Sequence, residues 1–183
     1  NTAYEARMIL DGTKYPEGWI NWGKEAVATE VPGAKDFLNY AASKGVTIFY
    51  VTNRVIELKE STKNNLTKLD IPWDQGIDTV LMRGENNWDS NKGPRRELIG
   101  EKYRVLLMVG DNLGDFVDAK DNNLSPEKRK EIVRAYSDYW GVKWFMIQNI
   151  AYGDWEGALY NFDYSLSPDE VNNARLENLK PLR

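Results

Sequence analysis

The chain of 183 residues is 42% hydrophobic, which is enough for a single domain with a sizeable core. Its formal net charge of -4 argues against a nucleic-acid binder, because such proteins normally carry a basic face. Cys and His are both absent, which excludes disulfides, thiolate or imidazole metal sites and histidine-based catalysis such as a Ser-His triad.

Helices and strands alternate along the first half of the chain. The predicted elements are a loop rich in Gly, Pro and Trp (11–23), a helix (34–43), a strand (46–51), a helix (58–69) and a strand (79–82). Residues 46–51 are mostly β-branched or aromatic, as in buried strands. Gly45 stops the first helix, and Pro72 lies beyond the end of the second.

The second half continues the alternation. It contains a polar loop (86–91), a helix (94–102), a strand (106–109), a helix that begins at Ser125-Pro126, a strand (143–148), an aromatic loop (149–157) and a helix opened by the capping box Ser167-x-x-Glu170. Because residues 106–109 are all apolar, we expect that strand to be buried on both faces. The pattern predicts an α/β fold, a mostly parallel sheet with helices on both faces.

Two carboxylates follow the apolar strand. Asp111 stands at the end of this strand, and Asp115 comes one short turn later. Ligands of open α/β sheets bind beyond the carboxyl ends of the strands, and magnesium prefers oxygen ligands. The pair therefore indicates a candidate site for a hard cation such as magnesium. The alternative is that both residues only shape a turn or cap the next helix.

Three further polar residues are candidates for holding a phosphate group. Thr52 and Asn53 end the strand 46–51 and offer a hydroxyl, an amide and backbone N–H groups. Lys92 lies just before a predicted helix, where its ammonium can act as a point charge. The alternatives are a helix cap for the first two and a solvated surface side chain for Lys92. For Arg95, a structural role is favoured.

Two aromatic residues are candidates for substrate selection. Trp19 and Tyr152 lie in Gly-containing loops, where a ring can be presented to a ligand. Two facing rings can sandwich a nucleobase, and such stacking is worth about 1–3 kcal/mol per base. Core packing is the equal alternative for each of them, and Trp22 and Trp155 are predicted to lie in the core.

Several stretches resemble motifs of one known family, the class C acid phosphatases. These are secreted or surface-lipoprotein 5'-nucleotidases of the haloacid dehalogenase (HAD) superfamily. The matching stretches are Gly110-Asp111-Asn112-Leu113-x-Asp115-Phe116, Val51-Thr52-Asn53-Arg54 and Asn1-x-x-Tyr4. The resemblance covers nearly the whole chain. It implies a Rossmann-like HAD fold in a single domain over 1–183, with a small cap formed by about 1–30 and the C-terminal segment.

The resemblance also implies an activity, magnesium-dependent hydrolysis of 5'-nucleotides and other small phosphate monoesters through an aspartyl-phosphate. The family's first motif, Asp-x-Asp-Glu-Thr, supplies the nucleophile and a general acid, and we expect it and its strand before Asn1. The implied roles are phosphate binding by Thr52 and Asn53, charge neutralisation by Lys92, magnesium binding by Asp111, support of the cation site or of Lys92 by Asp115, and base stacking by Trp19 and Tyr152. Asp89 departs from the family, which often carries a second Lys near this place.

Two other functions use similar residues. A non-catalytic nucleotide- or phosphate-binding surface protein could keep the pocket without the nucleophile, and the residues before Asn1 discriminate between it and the enzyme. A phospho-acceptor receiver domain also has acidic residues at strand ends, but the aromatic loops disfavour it. The resemblance further implies an extracytoplasmic protein, either a bacterial outer-membrane or cell-surface lipoprotein or a periplasmic or secreted enzyme, and it allows a homodimer. No apolar run is long enough to span a membrane.

Overall fold

The structure is a computed structural model that describes residues 2–117, 123–149 and 152–179. The chain divides into two compact units, Asn1–Arg96 and Glu97–Arg183. The first unit contains α1 (Thr2–Asp11), α2 (Trp19–Glu25), α3 (Ala34–Ser43), β1 (Tyr50–Val55), α4 (Lys59–Lys68), β2 (Val80–Arg83) and the start of α5 (Gly93–Lys102). Asn1, the first residue of one family motif, lies outside the described residues.

Helix α3 has the predicted bounds, whereas α2 shows that the predicted loop over 11–23 is partly wrong. Gly18 precedes α2 in the left-handed region, with a φ of 71°, which glycine adopts without steric cost. Trp22 is only 3% exposed and packs against Tyr4 and Met8 of α1. Tertiary packing of this kind stabilises short helices that local sequence signals do not predict.

Strands β1 and β2 are parallel neighbours, but β1 begins later than predicted. Its first residue is Tyr50, because a side chain occupies the backbone groups upstream. Ile48 N–H donates to Gln75 Oε1 (2.8 Å), and Gln75 Nε2 donates to the Val46 carbonyl (3.2 Å). These bonds satisfy the backbone polar groups that a longer strand would have paired.

The core of the first unit lies between β2 and the helices. Leu58, Val80 and Met82 have no exposed surface and form its centre. Helix α2 approaches this centre closely, since a Cβ added to Gly23 would lie 2.6 Å from Leu58 Cδ1. The burial of these residues anchors the strands whose ends carry the candidate site residues.

The second unit contains the rest of α5, β3 (Met108–Gly110), α6 (Pro126–Ala135), β4 (Trp144–Met146), α7 (Asp154–Gly157) and α8 (Pro168–Asn178). Strands β3 and β4 are parallel, with Met108 opposite Trp144. Its core cluster consists of Leu113, Phe116, Val117 and Trp144. Parallel strands alternating with helices in both units agree with the predicted α/β class.

Both predicted serine caps of the second unit are present. Ser125 Oγ accepts a hydrogen bond from Lys128 N–H at the start of α6. Ser167 and Glu170 form the predicted capping box at the start of α8. Over the described parts of the chain, no helix combines the length and apolar character needed to cross a bilayer.

The predicted burial of residues 106–109 is wrong. Strand β3 begins at Met108, and Leu106 and Leu107 are each 43% exposed, while Val109 is 49% exposed. Among the described residues, β3 pairs with β4 alone. A two-stranded sheet does not give its strands the cover on both faces that a central strand of a parallel sheet receives.

Candidate active site

The candidate phosphate-binding residues of the first unit lie where the β1–β2 register shifts, between Thr52 and Val55. Thr52 and Asn53 lie inside β1, which continues to Val55, and not after the strand as predicted. The irregular residues 52–55 form the carboxyl end of β1, and such irregularities re-aim the side chains there. Asn53 is exposed, and its Nδ2 donates to the Ser90 carbonyl (2.9 Å). Thr52 Oγ1 accepts a hydrogen bond from Arg54 N–H (3.1 Å), so the hydroxyl can give its own proton to another acceptor.

A buried guanidinium holds this strand end in place. Arg95 has no exposed surface, and it donates from Nη1 to the Thr52 carbonyl (2.6 Å) and from Nη2 to Asn53 Oδ1 (2.7 Å). Nη2 also donates to the carbonyls of Asp89 (3.0 Å) and Asn91 (3.2 Å). Burial lowers the pKa of Arg95, and the Asp89 carboxylate opposes that shift. Arg95 thus joins the end of β1 to the loop before Lys92.

Lys92 directly precedes α5 and follows a loop with a well-defined backbone. Asn91 N–H donates to Asp89 Oδ1 (2.7 Å), and Gly93 N–H donates to Asn91 Oδ1 (2.8 Å). The Lys92 carbonyl accepts the Arg96 N–H (3.0 Å), which is the first hydrogen bond of the helix. The structure therefore brings Thr52, Asn53 and the backbone at Lys92 into one hydrogen-bonded region of the first unit.

Asp111, in the second unit, directly follows β3 and is exposed. Its Oδ2 accepts a hydrogen bond from Asn149 Nδ2 (2.9 Å), while Oδ1 accepts none within the described residues. One fixed and one open carboxylate oxygen suit a monodentate ligand for a hard cation. The described residues hold no group of three or more acidic side chains that could bind a metal. Asp111 therefore fits magnesium as one ligand, the remainder being water, phosphate or other groups.

Asp115 supports the backbone that carries Asp111. Its Oδ2 accepts hydrogen bonds from the N–H groups of Asp111 (2.9 Å) and Asn112 (3.0 Å), and it forms a capping box with Asn112. This is the turn-shaping alternative considered for Asp115. The contact depends on Gly110, since an added Cβ there would lie 2.5 Å from Asp115 Oδ2.

Gly110→Ala should therefore destabilise the protein by roughly 1–3 kcal/mol, because two backbone N–H groups lose their acceptor when Asp115 is displaced. Thermal unfolding would measure the loss, and a magnesium titration should show weaker binding. Gly114→Ala is the matched control in the same turn, since an added Cβ there meets nothing within 4 Å. Equal stability of the two variants would contradict the expected displacement.

Asn149 and Asp154 are polar residues of this region that were not predicted from the sequence. Asn149 bonds to Asp111, and Asn112 Nδ2 donates to Asp154 Oδ2 (2.8 Å) at the start of α7. The partners are 38 and 42 residues apart in sequence, so no local pattern connects them. Only the position of Asn149 and Asp154 after β4 could have indicated a role, because the carboxyl ends of parallel strands bring polar groups together.

The first of the two candidate stacking residues is partly a packing residue. Trp19 stacks on Trp22, with ring centroids 5.4 Å apart, and meets the Tyr4 ring edge-on at 5.1 Å. The Arg54 guanidinium lies 5.8 Å from the Trp19 ring and 5.5 Å from the Trp22 ring. The core prediction for Trp22 is confirmed, and Trp19 stays partly exposed beside it.

The second candidate, Tyr152, is 41% exposed, and its N–H donates to Asn149 Oδ1 (3.3 Å). Ala151, its neighbour in sequence, lies outside the described residues. The core prediction for Trp155 is wrong, since it is also 41% exposed. Its Nε1 donates to the Asn149 carbonyl (3.2 Å), and its ring covers Gly153, so it packs on the loop instead of entering the core.

Comparison with known proteins identifies the chain's family. The profile described as HAD superfamily, subfamily IIIB (Acid phosphatase), matches residues 1–155. The class C acid phosphatase from Bacillus anthracis has a TM-score of 0.86 and 34% identity, covering 100% of this chain and 75% of that one. The tungstate-bound form of that enzyme has a TM-score of 0.87 at the same identity and coverage. The protein is thus a phosphoric monoester hydrolase with a HAD fold. It belongs to the acid phosphatases of subfamily IIIB, which confirms the predicted family.

Proposed function

We propose that this acid phosphatase depends on magnesium and hydrolyses nucleoside 5'-phosphates and other small phosphate monoesters through an aspartyl-phosphate. The observation that carries the proposal is the carboxylate of Asp111, which follows a strand end with one oxygen held by Asn149 and the other open within the described residues. Tungstate bound to the Bacillus anthracis relative lends support, because this tetrahedral oxyanion resembles phosphate.

The proposed reaction begins with the first Asp of an Asp-x-Asp motif expected before Asn1. Its carboxylate attacks phosphorus, the bond from phosphorus to the ester oxygen breaks, and the second Asp gives its proton to the leaving alcohol. Water then attacks the aspartyl-phosphate while the second Asp accepts a proton from it. Inorganic phosphate leaves and the nucleophile is regenerated.

The residues of this chain bind and orient the reacting groups. The Thr52 hydroxyl and the Asn53 amide donate to phosphate oxygens, and the Lys92 ammonium offsets their charge. Asp111 holds magnesium through one oxygen, and Asp115 keeps the backbone at Asp111 in place. When bound, magnesium stabilises the negative charge on the transferred phosphoryl group.

The test compares two polypeptides. The 1–183 chain should show no magnesium-dependent hydrolysis of a nucleoside 5'-phosphate, because it contains no residue proposed as the nucleophile. The same chain extended through its Asp-x-Asp motif should turn over, as measured by released phosphate. The control is the extended chain with both motif Asp residues changed to Asn.

Turnover by the 1–183 chain would contradict the proposed nucleophile. An extended chain that binds nucleotide without hydrolysing it would favour the non-catalytic binder instead. Turnover of the extended chain without any added or bound divalent cation would contradict the proposed magnesium dependence.

Nucleotide preference is proposed to depend on Trp19 and Tyr152, each offering a ring to the base. Trp19→Ala or Tyr152→Ala should lower kcat/KM for a nucleoside 5'-phosphate by about tenfold or more, the loss of one stack of about 1–3 kcal/mol. A small aliphatic phosphate, which has no ring to stack, should be affected much less. Steady-state kinetics with both substrates measures the difference.

Tyr40→Ala is the control for this comparison, since Tyr40 lies on α3 and is 64% exposed. If both substrates lost activity equally in a folded Trp19 or Tyr152 variant, base stacking would be wrong. Packing of α2 and of the loop after β4 would then account for the two aromatic residues.

An extracytoplasmic location and a homodimer are further parts of the proposal. The family resemblance supports the location, and the absence of Cys is compatible with an oxidising compartment. Fractionation of the native organism and light scattering of the purified full-length protein would test these two points separately.

A further inference from the structure

We infer that Arg95 is a positioning residue for phosphate binding. It orients the Asn53 amide, holds the loop before Lys92, and places a fixed positive charge behind both. This inference rests on the proposed role of Thr52 and Asn53 in phosphate binding. From the sequence, an arginine at this position of α5 was predicted to have a structural role. The inference gives it a role in substrate binding.

The first step is the orientation of the Asn53 amide. A guanidinium only donates hydrogen bonds, so Arg95 Nη2 requires the amide oxygen of Asn53 to face it at 2.7 Å. Nδ2 must then point the other way, where one of its hydrogens reaches the Ser90 carbonyl (2.9 Å). The second amide hydrogen is left for a ligand. Arg95 therefore decides which end of the exposed amide a phosphate group meets.

The second step is the connection to the loop. The Nη2 atom that meets Asn53 also donates to the carbonyls of Asp89 (3.0 Å) and Asn91 (3.2 Å), the residues that lead to Lys92. Nη1 fixes the Thr52 carbonyl at 2.6 Å. One rigid planar group thus sets the spacing between the strand end and the loop, which the flexible ammonium of a lysine cannot reproduce.

The third step is charge. Within the described residues, all the hydrogen bonds of the Arg95 side chain end on uncharged oxygen atoms, and Nε is buried without a partner. A buried cation without a hydrogen-bonded carboxylate is costly for folding. Its field is weakly screened in a buried position, so it attracts an anion bound at the end of β1.

The experiment uses the full-length, magnesium-loaded protein and inorganic phosphate as the probe. Arg95→Met should raise the phosphate Kd by about tenfold or more in calorimetry, the effect of losing charge-assisted hydrogen bonds. Arg95→Lys keeps the charge and should fall between Arg95→Met and the wild type. Arg134→Met, on the exposed face of α6, is the control and should bind normally.

Three readouts separate positioning from mere structural support. With a small aryl phosphate, positioning raises KM, whereas partial unfolding only lowers the active fraction and hence kcat. Adding Asn53→Ala to Arg95→Met should cause little further loss, because the two residues act through one contact. Asn53→Asp should raise the unfolding temperature by pairing with Arg95 and still weaken phosphate binding, and Arg95→Lys decides the matter if Arg95→Met does not fold.

The outcomes distinguish this inference from the proposed function. Unchanged phosphate affinity in folded Arg95 variants, or additive losses with Asn53→Ala, would overturn the inference and leave the proposed function intact. An Asn53→Asp variant with wild-type phosphate affinity would overturn the inference and, with it, the proposed role of Asn53 in phosphate binding. A wild-type protein that does not bind phosphate would overturn both, and that result comes from the wild type alone.

Discussion

Asp111→Asn in the full-length, magnesium-loaded protein should lower kcat for phosphate-ester hydrolysis by roughly a hundredfold or more. Removing one group that stabilises the charge of the transition state typically lowers kcat by about this factor. Asn has nearly the same shape, and its oxygen can still accept the Asn149 hydrogen bond. Its neutral oxygen is a weaker ligand for a hard cation. Turnover measured across a magnesium titration, together with direct calorimetry of magnesium binding, checks both effects.

The control for this variant is Asp138→Asn, an exposed carboxylate between α6 and β4. It makes the same chemical change away from the candidate site. Near-normal turnover with unchanged magnesium dependence in Asp111→Asn would rule out the proposed ligand. An unchanged near-ultraviolet circular dichroism spectrum would show that any loss is not unfolding.

Lys92→Met should lower kcat/KM for the same substrates by about a hundredfold, because a positive charge next to the phosphoryl group is removed while the volume is nearly kept. The hydrogen bonds from Arg95 to the preceding loop do not involve the Lys92 side chain. These hydrogen bonds should therefore remain in the variant, and the phosphate Kd should rise as well. Steady-state kinetics measures kcat/KM, calorimetry with inorganic phosphate measures the Kd, and thermal unfolding shows whether the fold is kept.

The matched control lies at the other end of the same helix. Lys102 is the last residue of α5 and is exposed, so Lys102→Met removes a lysine charge without touching the candidate site. Equal kinetic losses in the two variants would mean that general charge, and not the position of Lys92, attracts the substrate.

Local signals predicted the elements whose boundaries are set by neighbouring residues. Gly45 predicts the end of α3, and the Ser167–Glu170 capping box predicts the start of α8. The elements that were missed depend on distant partners. Helix α2 forms because Trp22 packs on α1, and β1 starts late because Gln75 takes the upstream backbone groups. Neither interaction leaves a periodic pattern in the sequence.

In the candidate site, too, contacts between neighbouring residues could be predicted and contacts between distant residues could not. Asp111 and Asp115 are four residues apart, so their turn could be anticipated, and the structure adds its hydrogen bonds. Arg95 bonds to residues 43 and 42 positions away, at the end of β1. A run of two arginines at the start of a helix gives no indication of which one is buried. Only the three-dimensional structure shows that Arg95 is buried and that the neighbouring Arg96 is partly exposed.

The packing of Trp19 has a consequence for how substrate preference can evolve. Its ring contacts Tyr4 and Trp22 in the hydrophobic core of the first unit, so replacing it changes folding stability as well as any stacked base. Tyr152 is 41% exposed and belongs to none of the core clusters described above, so we expect its replacement to cost less folding stability. If both rings stack on the base as proposed, substitutions that change the preferred nucleobase should be tolerated at position 152. At position 19 the same kind of substitution should also lower folding stability. A selection library for altered base preference should randomise position 152 first.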